Sequence, residues 1–230
     1  MKIIYEILYG SDVYGTTTND SDQDIRGILM PSLEEVFSLK EQQDIRVQSD
    51  ESDIVMYPIN KFFKLAARSN PSVFEWLFVP EEHIRIMEDS AKIIRENRSI
   101  FLSKEIHDRF KGFAWHEYTN LTKMTGATGY KRKEQIIEHG YNPKNAMNCI
   151  RLLEQGIELL NSGFITMPRP NAEELIQIKL GKMRHEEVSR KFEYLIKEID
   201  NAKEISKLPD ISSQTDIDNL LIRILKEYCK

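Results

Sequence analysis

Cysteines and long apolar runs are scarce in this sequence, and their scarcity excludes several classes of protein. Only two cysteines occur in 230 residues, Cys149 and Cys229, and neither belongs to a CxxC pair, so we expect inert thiols rather than a disulfide or a zinc site. The apolar runs, such as residues 74–79, are far shorter than the roughly 20 residues of a membrane-spanning helix. The first residues also lack the apolar stretch and cleavage site of a signal peptide. We therefore expect a soluble, cytoplasmic protein with no membrane partner.

An excess of basic charge is lacking as well. The chain has 32 lysines and arginines against 37 aspartates and glutamates, which gives a net charge of −5. Overall charge therefore does not drive binding to nucleic acid, although a local basic face can still do so. The content of 40% hydrophobic and 30% charged residues is typical of a globular protein. A chain of this length suits one large domain or two small ones.

The sequence pattern changes near residue 100, from strands and short helices to longer helices. We predict strands at residues 3–9, 24–30, 45–48 and 53–57, a helix at 60–67, and then helices at 102–124, 144–161, 172–180, 185–204 and 216–229. Ser32 and Asn171 are expected to cap the helices that follow them, and Gly163 to end the helix before it. The prediction is an α+β fold, a small mixed β-sheet followed by a helical C-terminal part, with the boundary between residues 1–100 and 101–230.

A glycine–serine pair ends the first predicted strand. Because Gly10 has no side chain, the backbone there can approach a phosphate closely. The Ser11 hydroxyl can donate to a phosphate oxygen, and backbone N–H groups after it can bind the same anion if a short helix begins there. The pair is therefore a candidate phosphate-binding turn.

Three aspartates follow at positions that can form a metal site. Asp22 and Asp24 lie two residues apart at the entry to a strand, so the period of two places both carboxylates on one face. Asp53 begins a later strand. If those strands are neighbours, the three acids form a cluster that can hold two ions of Mg²⁺ or Mn²⁺ about 4 Å apart. Asp53 would then orient or deprotonate an incoming hydroxyl.

Simpler interpretations of these acids exist. An Asp-x-Asp pair alone is often a solvated turn. A calcium loop of the EF-hand type is excluded because Ile25 and Pro31 occupy the positions that require glycine and glutamate. Arg26, beside the acids, has two open interpretations: a salt bridge to Asp22 or Asp24, or contact with a bound triphosphate.

The spacing from Gly10 to Asp24 resembles the Gly-Ser, spacer, Asp-x-Asp signature of polymerase-beta-like nucleotidyltransferases. It is most similar to the RNA-repair-associated family within that superfamily. The stretches that carry the resemblance are residues 10–15, 21–27, 53–55 with 61–62, 70–71 with Glu75, 141–144, 150–153 and 168–170. Asp12 departs from the family, which often has an arginine there, and Asn145 and Asn148 stand where the family often has histidines.

The resemblance implies the roles of particular residues. Residues 1–100 would form the catalytic core and residues 101–230 a helical domain that contributes to the substrate cleft. The residues implied to bind metal are Asp22, Asp24 and Asp53, and those implied to meet the nucleotide are Gly10, Ser11, Lys144 and Arg151. Arg26 is a further candidate for nucleotide contact, from its place beside the acids. Lys144 and Arg151 match basic positions of the family's helical part, seven residues apart. Both are also consistent with ordinary solvated helix charges.

The reaction implied is attack of an acceptor hydroxyl on the α-phosphorus of a nucleoside triphosphate, with release of pyrophosphate. An RNA end is the favoured acceptor, and the basic run of Lys131, Arg132 and Lys133 is the best candidate for contacting a nucleic-acid backbone. Two alternatives stay open: a toxin-like enzyme that modifies a protein side chain, and a non-catalytic nucleotide- or RNA-binding regulator on the same scaffold.

Overall fold

The computed structural model describes residues 1–18, 21–39, 42–49, 52–123 and 130–228, and for residues 130–132 it describes the backbone. The strands within these ranges are β1 (Lys2–Tyr9), β2 (Gln23–Met30), β3 (Ile45–Gln48), β4 (Ser52–Pro58) and β5 (Ile84–Met87). The helices are α1 (Ser11–Tyr14), α2 (Leu33–Phe37), α3 (Ile59–Ala66), α4 (Pro71–Phe74), α5 (Asp89–Glu96), α6 (Glu105–Thr119), α7 (Tyr130–His139), α8 (Pro143–Ser162), α9 (Ala172–Lys179), α10 (His185–Ile205) and α11 (Gln214–Tyr228).

The five strands form one mixed sheet, in the order β3-β4-β2-β1-β5. β2 and β4 run parallel, and the other neighbouring pairs are antiparallel. The sheet lies in the N-terminal half of the chain and most of the helices follow it. The predicted α+β fold is therefore confirmed.

Aromatic side chains make up much of the core on one face of the sheet. Trp76 is almost fully buried, and its ring stacks on Tyr57 of β4 at 5.6 Å and on Phe62 of α3 at 5.8 Å. On the other face, a smaller cluster of Ile25, Leu29 and Met56 packs across β2 and β4. Because both faces bury apolar side chains, burial on each face stabilises β2 and β4 at interior positions of the sheet.

Two of the three predicted helix ends have the expected geometry. Ser32 accepts a hydrogen bond from the Glu35 N–H at 3.3 Å, and the Glu35 carboxylate accepts one from the Ser32 N–H at 2.8 Å, which is a capping box. Gly163 ends α8 in the left-handed conformation, with φ 68°. Asn171 stands at the N-cap of α9 but makes no capping bond. Its amide donates instead to Glu154 of α8 at 2.9 Å and to the Glu174 side chain of α9 at 3.1 Å.

The contacts between residues divide the chain into two compact units. The sheet unit comprises Met1–Leu102, Thr166–Pro170 and Ile211–Lys230, and the helical unit comprises Ser103–Ile165 and Asn171–Asp210. The last helix, α11, thus belongs with the sheet, where it packs against α3 and α5. The predicted division at residue 100 into a catalytic core and a domain that contributes to a substrate cleft stays a prediction.

Within the helical unit, the long helix α8 is central and packs against α6, α9 and α10. Gly156 permits this close approach, because a Cβ at that position would lie 2.8 Å from Ile199 and 3.0 Å from Phe110. Cys149 of α8 is fully buried, and burial raises the pKa of its thiol above the usual range, which fits the expected inert thiol. Cys229 lies outside the described residues. Across the described part of the chain, no helix is long and apolar enough to cross a bilayer.

Candidate active site

The turn at Gly10 joins the end of β1 to the short helix α1. Gly10 has φ 64° and ψ −132°, a conformation that favours glycine. A Cβ at this position would collide with the carboxylate of Asp24. Ser11 begins α1, and its carbonyl accepts the Thr16 N–H at 2.9 Å. The structure therefore places the glycine–serine turn directly against one of the predicted acids.

Asp24 and Asp53 are direct neighbours in the parallel register of β2 and β4. Residues paired in this way have side chains on the same face of the sheet, with the strands about 4.8 Å apart. Both side chains are partly open to solvent, at 28% for Asp24 and 39% for Asp53. Two carboxylates this close repel each other unless a cation lies between them.

The Arg26 guanidinium supplies that cation. Its Nη2 donates to Asp24 Oδ1 and to Asp53 Oδ2, at 2.8 Å in each case. Its Nη1 donates to the backbone carbonyls of Ile25 at 2.9 Å and of Asp53 at 2.5 Å. The guanidinium also lies 5.8 Å from the ring centre of Tyr9. The salt-bridge interpretation of Arg26 thus describes this structure, with Asp53 as an additional partner.

Asp22 lies just before β2 and is exposed. Because β2 begins at Gln23, the alternation expected to align Asp22 with Asp24 does not extend to Asp22. Among the described residues, no group of three histidine, cysteine, aspartate or glutamate side chains is arranged to hold a metal ion. The structure therefore brings together Asp24 and Asp53, and metal binding by all three acids stays a prediction.

The Asp24–Asp53 pair has the chemistry that a magnesium ion requires. Magnesium prefers hard oxygen ligands and is usually bound through one or two carboxylates together with substrate phosphates and water. Two adjacent, partly open carboxylates beside a turn that can bind phosphate meet this description. One oxygen of each carboxylate, Asp24 Oδ1 and Asp53 Oδ2, is paired with Arg26, so a divalent ion would compete with the Arg26 guanidinium for these two oxygens.

The two basic residues predicted to contact nucleotide lie in the helical unit, on α8. Lys144, in the first turn, is exposed. Arg151 is only 7% exposed, and its guanidinium donates to Gln155 at 2.7 Å. Their contact with phosphate stays a prediction. Of the basic run, Lys133 is exposed, while the side chains of Lys131 and Arg132 lie outside the described residues.

A buried acid near the turn was not assigned a role from the sequence. Glu75 is 1% exposed and accepts hydrogen bonds from the hydroxyls of Tyr9, at 2.9 Å, and of Tyr14. These two tyrosines stand on either side of the Gly10 turn, at the ends of β1 and α1. The available signal was a single charged residue inside the apolar run 74–79, but its partners lie more than 60 residues away.

The acids are separate from a polar cavity in the same unit. This cavity, of about 780 Å³, lies at the far end of β4 from Asp53 and is lined in part by Asp44, Pro58 and Lys61. None of the predicted site residues lines it. Asp44 there binds the Lys61 ammonium at 2.6 Å, so it is a second acid–cation pair that is independent of the Asp24–Asp53 pair.

Known proteins with similar sequences include one from a bacteriophage and one from a bacterium. A protein of Enterobacteria phage T4, named as an uncharacterized 38.9 kDa protein in the nrdC-mobD intergenic region, is 30% identical over 145 residues, which is 58% of this chain and 38% of the phage protein. The uncharacterized protein YcgL of Bacillus subtilis is 35% identical over 79 residues, which is 34% of this chain and 30% of that protein. The chain thus matches less than two fifths of either relative's length.

The family comparison covers far more of the chain. The model of the RNA repair pathway DNA polymerase beta family matches residues 1–223. This range contains the Gly10 turn, the Asp24–Asp53 pair with Arg26, and the buried Glu75. Membership of a polymerase-beta-like family supports activity of the nucleotidyltransferase type. The chain belongs to the RNA repair pathway DNA polymerase beta family.

Proposed function

We propose that this protein is a metal-dependent nucleotidyltransferase that moves a nucleoside monophosphate from a nucleoside triphosphate to an acceptor hydroxyl and releases pyrophosphate. The observation that carries the proposal is the direct pairing of Asp24 with Asp53 across parallel strands, with the Gly10 turn against the Asp24 carboxylate. An acid pair beside a phosphate-binding turn is the arrangement that metal-assisted phosphoryl chemistry requires.

In the proposed mechanism, Asp24 and Asp53 would hold Mg²⁺ or Mn²⁺, and Asp22 would add a further carboxylate from the exposed segment before β2. A bound divalent ion would neutralise the charge that develops on the triphosphate and orient the α-phosphorus. Asp53 then orients the acceptor hydroxyl or removes its proton. Attack forms the new phosphoester bond, breaks the bond between the α- and β-phosphates, and releases pyrophosphate.

The turn and the arginine bind the phosphates in this scheme. The missing side chain of Gly10 leaves room for a close approach, and Ser11 offers a hydroxyl and a backbone N–H. If the two acids held a metal ion, the Arg26 guanidinium, which now pairs with Asp24 and Asp53, would be available to pair with a phosphate oxygen. Lys144 and Arg151 are proposed as further phosphate contacts.

We favour an RNA end as the acceptor, because the chain belongs to a family that is named for an RNA repair pathway. A protein side chain is the second candidate acceptor. A non-catalytic nucleotide- or RNA-binding regulator is less well supported, because a regulator has no need to keep Asp24 and Asp53 paired on neighbouring strands.

Label transfer tests the proposal. The purified protein is incubated with Mg²⁺ or Mn²⁺ and each α-³²P-labelled nucleoside triphosphate, with and without an RNA pool. We expect label on RNA. Label on the protein would support the second acceptor, and nucleotide binding without transfer would support the regulator.

Variants connect the transfer to the acids. Asp24→Asn and Asp53→Asn should each reduce transfer by about 100-fold or more, because each removes a ligand that acts on the reacting charge. Asp44→Asn is the matched control, since it removes an acid paired with a cation elsewhere in the sheet unit, and it should leave transfer unchanged. Full activity of the Asp24→Asn, Asp53→Asn double variant would refute the mechanism.

A further inference from the structure

Glu75 is a buried carboxylate in an otherwise apolar segment. It begins a short 3-10 turn whose other residues, Trp76, Leu77 and Phe78, are all buried. Burial of a charged group costs several kcal/mol unless hydrogen bonds compensate it. Glu75 is compensated by the hydroxyls of Tyr9 and Tyr14, which both donate to the same oxygen, Oε2. We refer to Tyr9, Tyr14 and Glu75 as the clamp.

The clamp holds both ends of the Gly10 turn. Tyr9 is the last residue of β1 and Tyr14 is the last residue of α1, so the turn and its helix lie between them. Their rings also contact each other edge to face, with centres 5.7 Å apart. A single carboxylate oxygen therefore fixes the distance between the strand end and the helix end.

The clamp also reaches the acids. Tyr9 is the partner of Asp24 in the register of β1 and β2. Its ring lies 5.8 Å from the guanidinium of Arg26, which binds Asp24 and Asp53. Glu75 thus contacts the residue that connects the turn to the acid pair.

The position of Glu75 is itself fixed by the start of α4. Asn70 caps that helix, accepting the Ser72 N–H at 3.0 Å, and Pro71 occupies its first position. The 3-10 turn follows α4 without a break, so the cap determines where Glu75 points. The segment from Asn70 to Glu75 therefore places a carboxylate against the two tyrosines.

We propose that Glu75 is a positioning residue for triphosphate binding, which acts through Tyr9 and Tyr14 on the Gly10 turn. This inference rests on the proposed function, because it requires the turn to bind phosphate. Loss of either tyrosine hydroxyl loosens one end of the turn, so the backbone N–H groups and the Ser11 hydroxyl lose their preset arrangement. The loss should appear in phosphate affinity beyond any loss of overall stability.

Phenylalanine substitutions separate the two effects. Tyr9→Phe and Tyr14→Phe each remove one clamp hydroxyl and keep the ring packing. Tyr5→Phe is the matched control: Tyr5 lies on the same strand, is 2% exposed, and its hydroxyl donates to the Trp76 carbonyl at 2.9 Å, outside the clamp. The probe is inorganic tripolyphosphate with Mg²⁺, which contains no base. Its dissociation constant is measured by calorimetry, together with the melting temperature and the hydrogen exchange of residues 11–16.

We expect both clamp variants to bind tripolyphosphate about 5- to 10-fold more weakly than the wild type, which corresponds to the loss of one hydrogen bond. Amide exchange at residues 11–16 should be faster in both. Tyr5→Phe, which also loses the hydrogen bond from Arg95, should lower the melting temperature by at least as much, but change the affinity by less than about twofold. Glu75→Gln, which keeps an acceptor oxygen, should lie between the wild type and the clamp variants.

Two affinity results would overturn the inference. One is equal affinity in the wild type and both clamp variants, and the other is an equal loss of affinity in all three phenylalanine variants. Failure of the proposed function is recognised separately, because the wild-type protein itself would then bind no tripolyphosphate and transfer no label. Unchanged exchange at residues 11–16 in the clamp variants would also contradict the positioning role, whatever the activity.

Discussion

At the scale of single residues, Gly10 meets two requirements at once. Its φ is 64°, and a Cβ would collide with the Asp24 carboxylate. Gly140 provides a comparison, because it has φ 78° but nothing within 4 Å of a Cβ. The Gly140→Ala variant should therefore lose only about 1–2 kcal/mol of stability, which is the cost of placing alanine in the left-handed conformation.

We predict that Gly10→Ala is destabilised by more than Gly140→Ala and transfers no detectable nucleotide, because the added methyl group displaces Asp24 from its place beside the turn. Urea unfolding of both variants measures the free energy of unfolding, and label transfer measures activity. Equal losses of stability, or an active Gly10→Ala protein, would show that contact with Asp24 is unimportant.

Arg26 leads to a second prediction at this scale. The Arg26→Gln variant leaves Asp24 and Asp53 without their shared cation, so repulsion between the carboxylates lowers the melting temperature of the metal-free protein. Mn²⁺ should then raise the melting temperature of this variant by more than it raises that of the wild type, because no guanidinium competes for the oxygens. Lys61→Gln, which removes one of the two cations paired with Asp44, should respond to Mn²⁺ like the wild type. An identical response in Arg26→Gln and Lys61→Gln would contradict the account.

The sequence allowed some of these residues to be identified and not others. Gly10, Asp24 and Asp53 could be proposed because each depends on a local pattern. Gly10 ends a strand, Asp24 follows the period of two, and Asp53 begins a strand. The pairing of Arg26 with Asp53, 27 residues away, and of Glu75 with Tyr9, 66 residues away, depends on the tertiary fold. A local pattern carries no information about such partners.

At the scale of elements, strong periodicity was a sufficient guide. The prediction for residues 45–48 matches β3, and the prediction for 144–161 lies within one residue of α8 at each end. The elements β5 and α5 were not predicted. β5 has four residues at the sheet edge and α5 has eight, so both are too short for their apolar pattern to stand out.

The link between β1 and α5 gives a prediction about alkaline pH. Tyr5 of β1 accepts a hydrogen bond from Arg95 of α5 at 2.5 Å. Burial raises the pKa of Tyr5 to about 12, against the opposing effect of Arg95. Because the folded protein favours the neutral phenol, this stabilisation is complete below the unfolded pKa of about 10 and is lost as the pH rises to about 12.

The wild-type protein should therefore lose about 2–3 kcal/mol of unfolding free energy between pH 10 and pH 12 through Tyr5 alone. Tyr5→Phe should remove that part of the slope, although it is less stable at neutral pH. Urea unfolding at intervals across this pH range measures the slope in both proteins. Parallel curves for the two would show that Tyr5 ionisation is not coupled to folding.

At the scale of the whole molecule, the assignment of α11 to the sheet unit was not anticipated. The sequence predicted a helix at residues 216–229, and the structure has one at Gln214–Tyr228. Its packing partners are α3 and α5, which precede it by more than 100 residues. An amphipathic pattern shows that a helix has an apolar face, but it does not show what that face covers.

Two isoleucines of α11 test this assignment. Ile224 is 1% exposed and Ile222 is 48% exposed, so the same substitution removes a core contact in one case and a surface contact in the other. Ile224→Ala should cost about 2–5 kcal/mol, and Ile222→Ala much less. Hydrogen exchange should show that Ile224→Ala weakens protection of α3 and α5. If protection were lost only in α8 and α10, α11 would belong with the helical unit.

The most direct test of the account is the binding of Mn²⁺, followed by electron paramagnetic resonance in the presence of tripolyphosphate. We predict that the wild type and Asp44→Asn bind the ion with equal affinity. Asp24→Asn and Asp53→Asn should each bind it at least about tenfold more weakly, since each loses one charged oxygen ligand. Unchanged affinity in both of those variants would show that the paired aspartates hold no metal, and the proposed catalytic centre would be wrong.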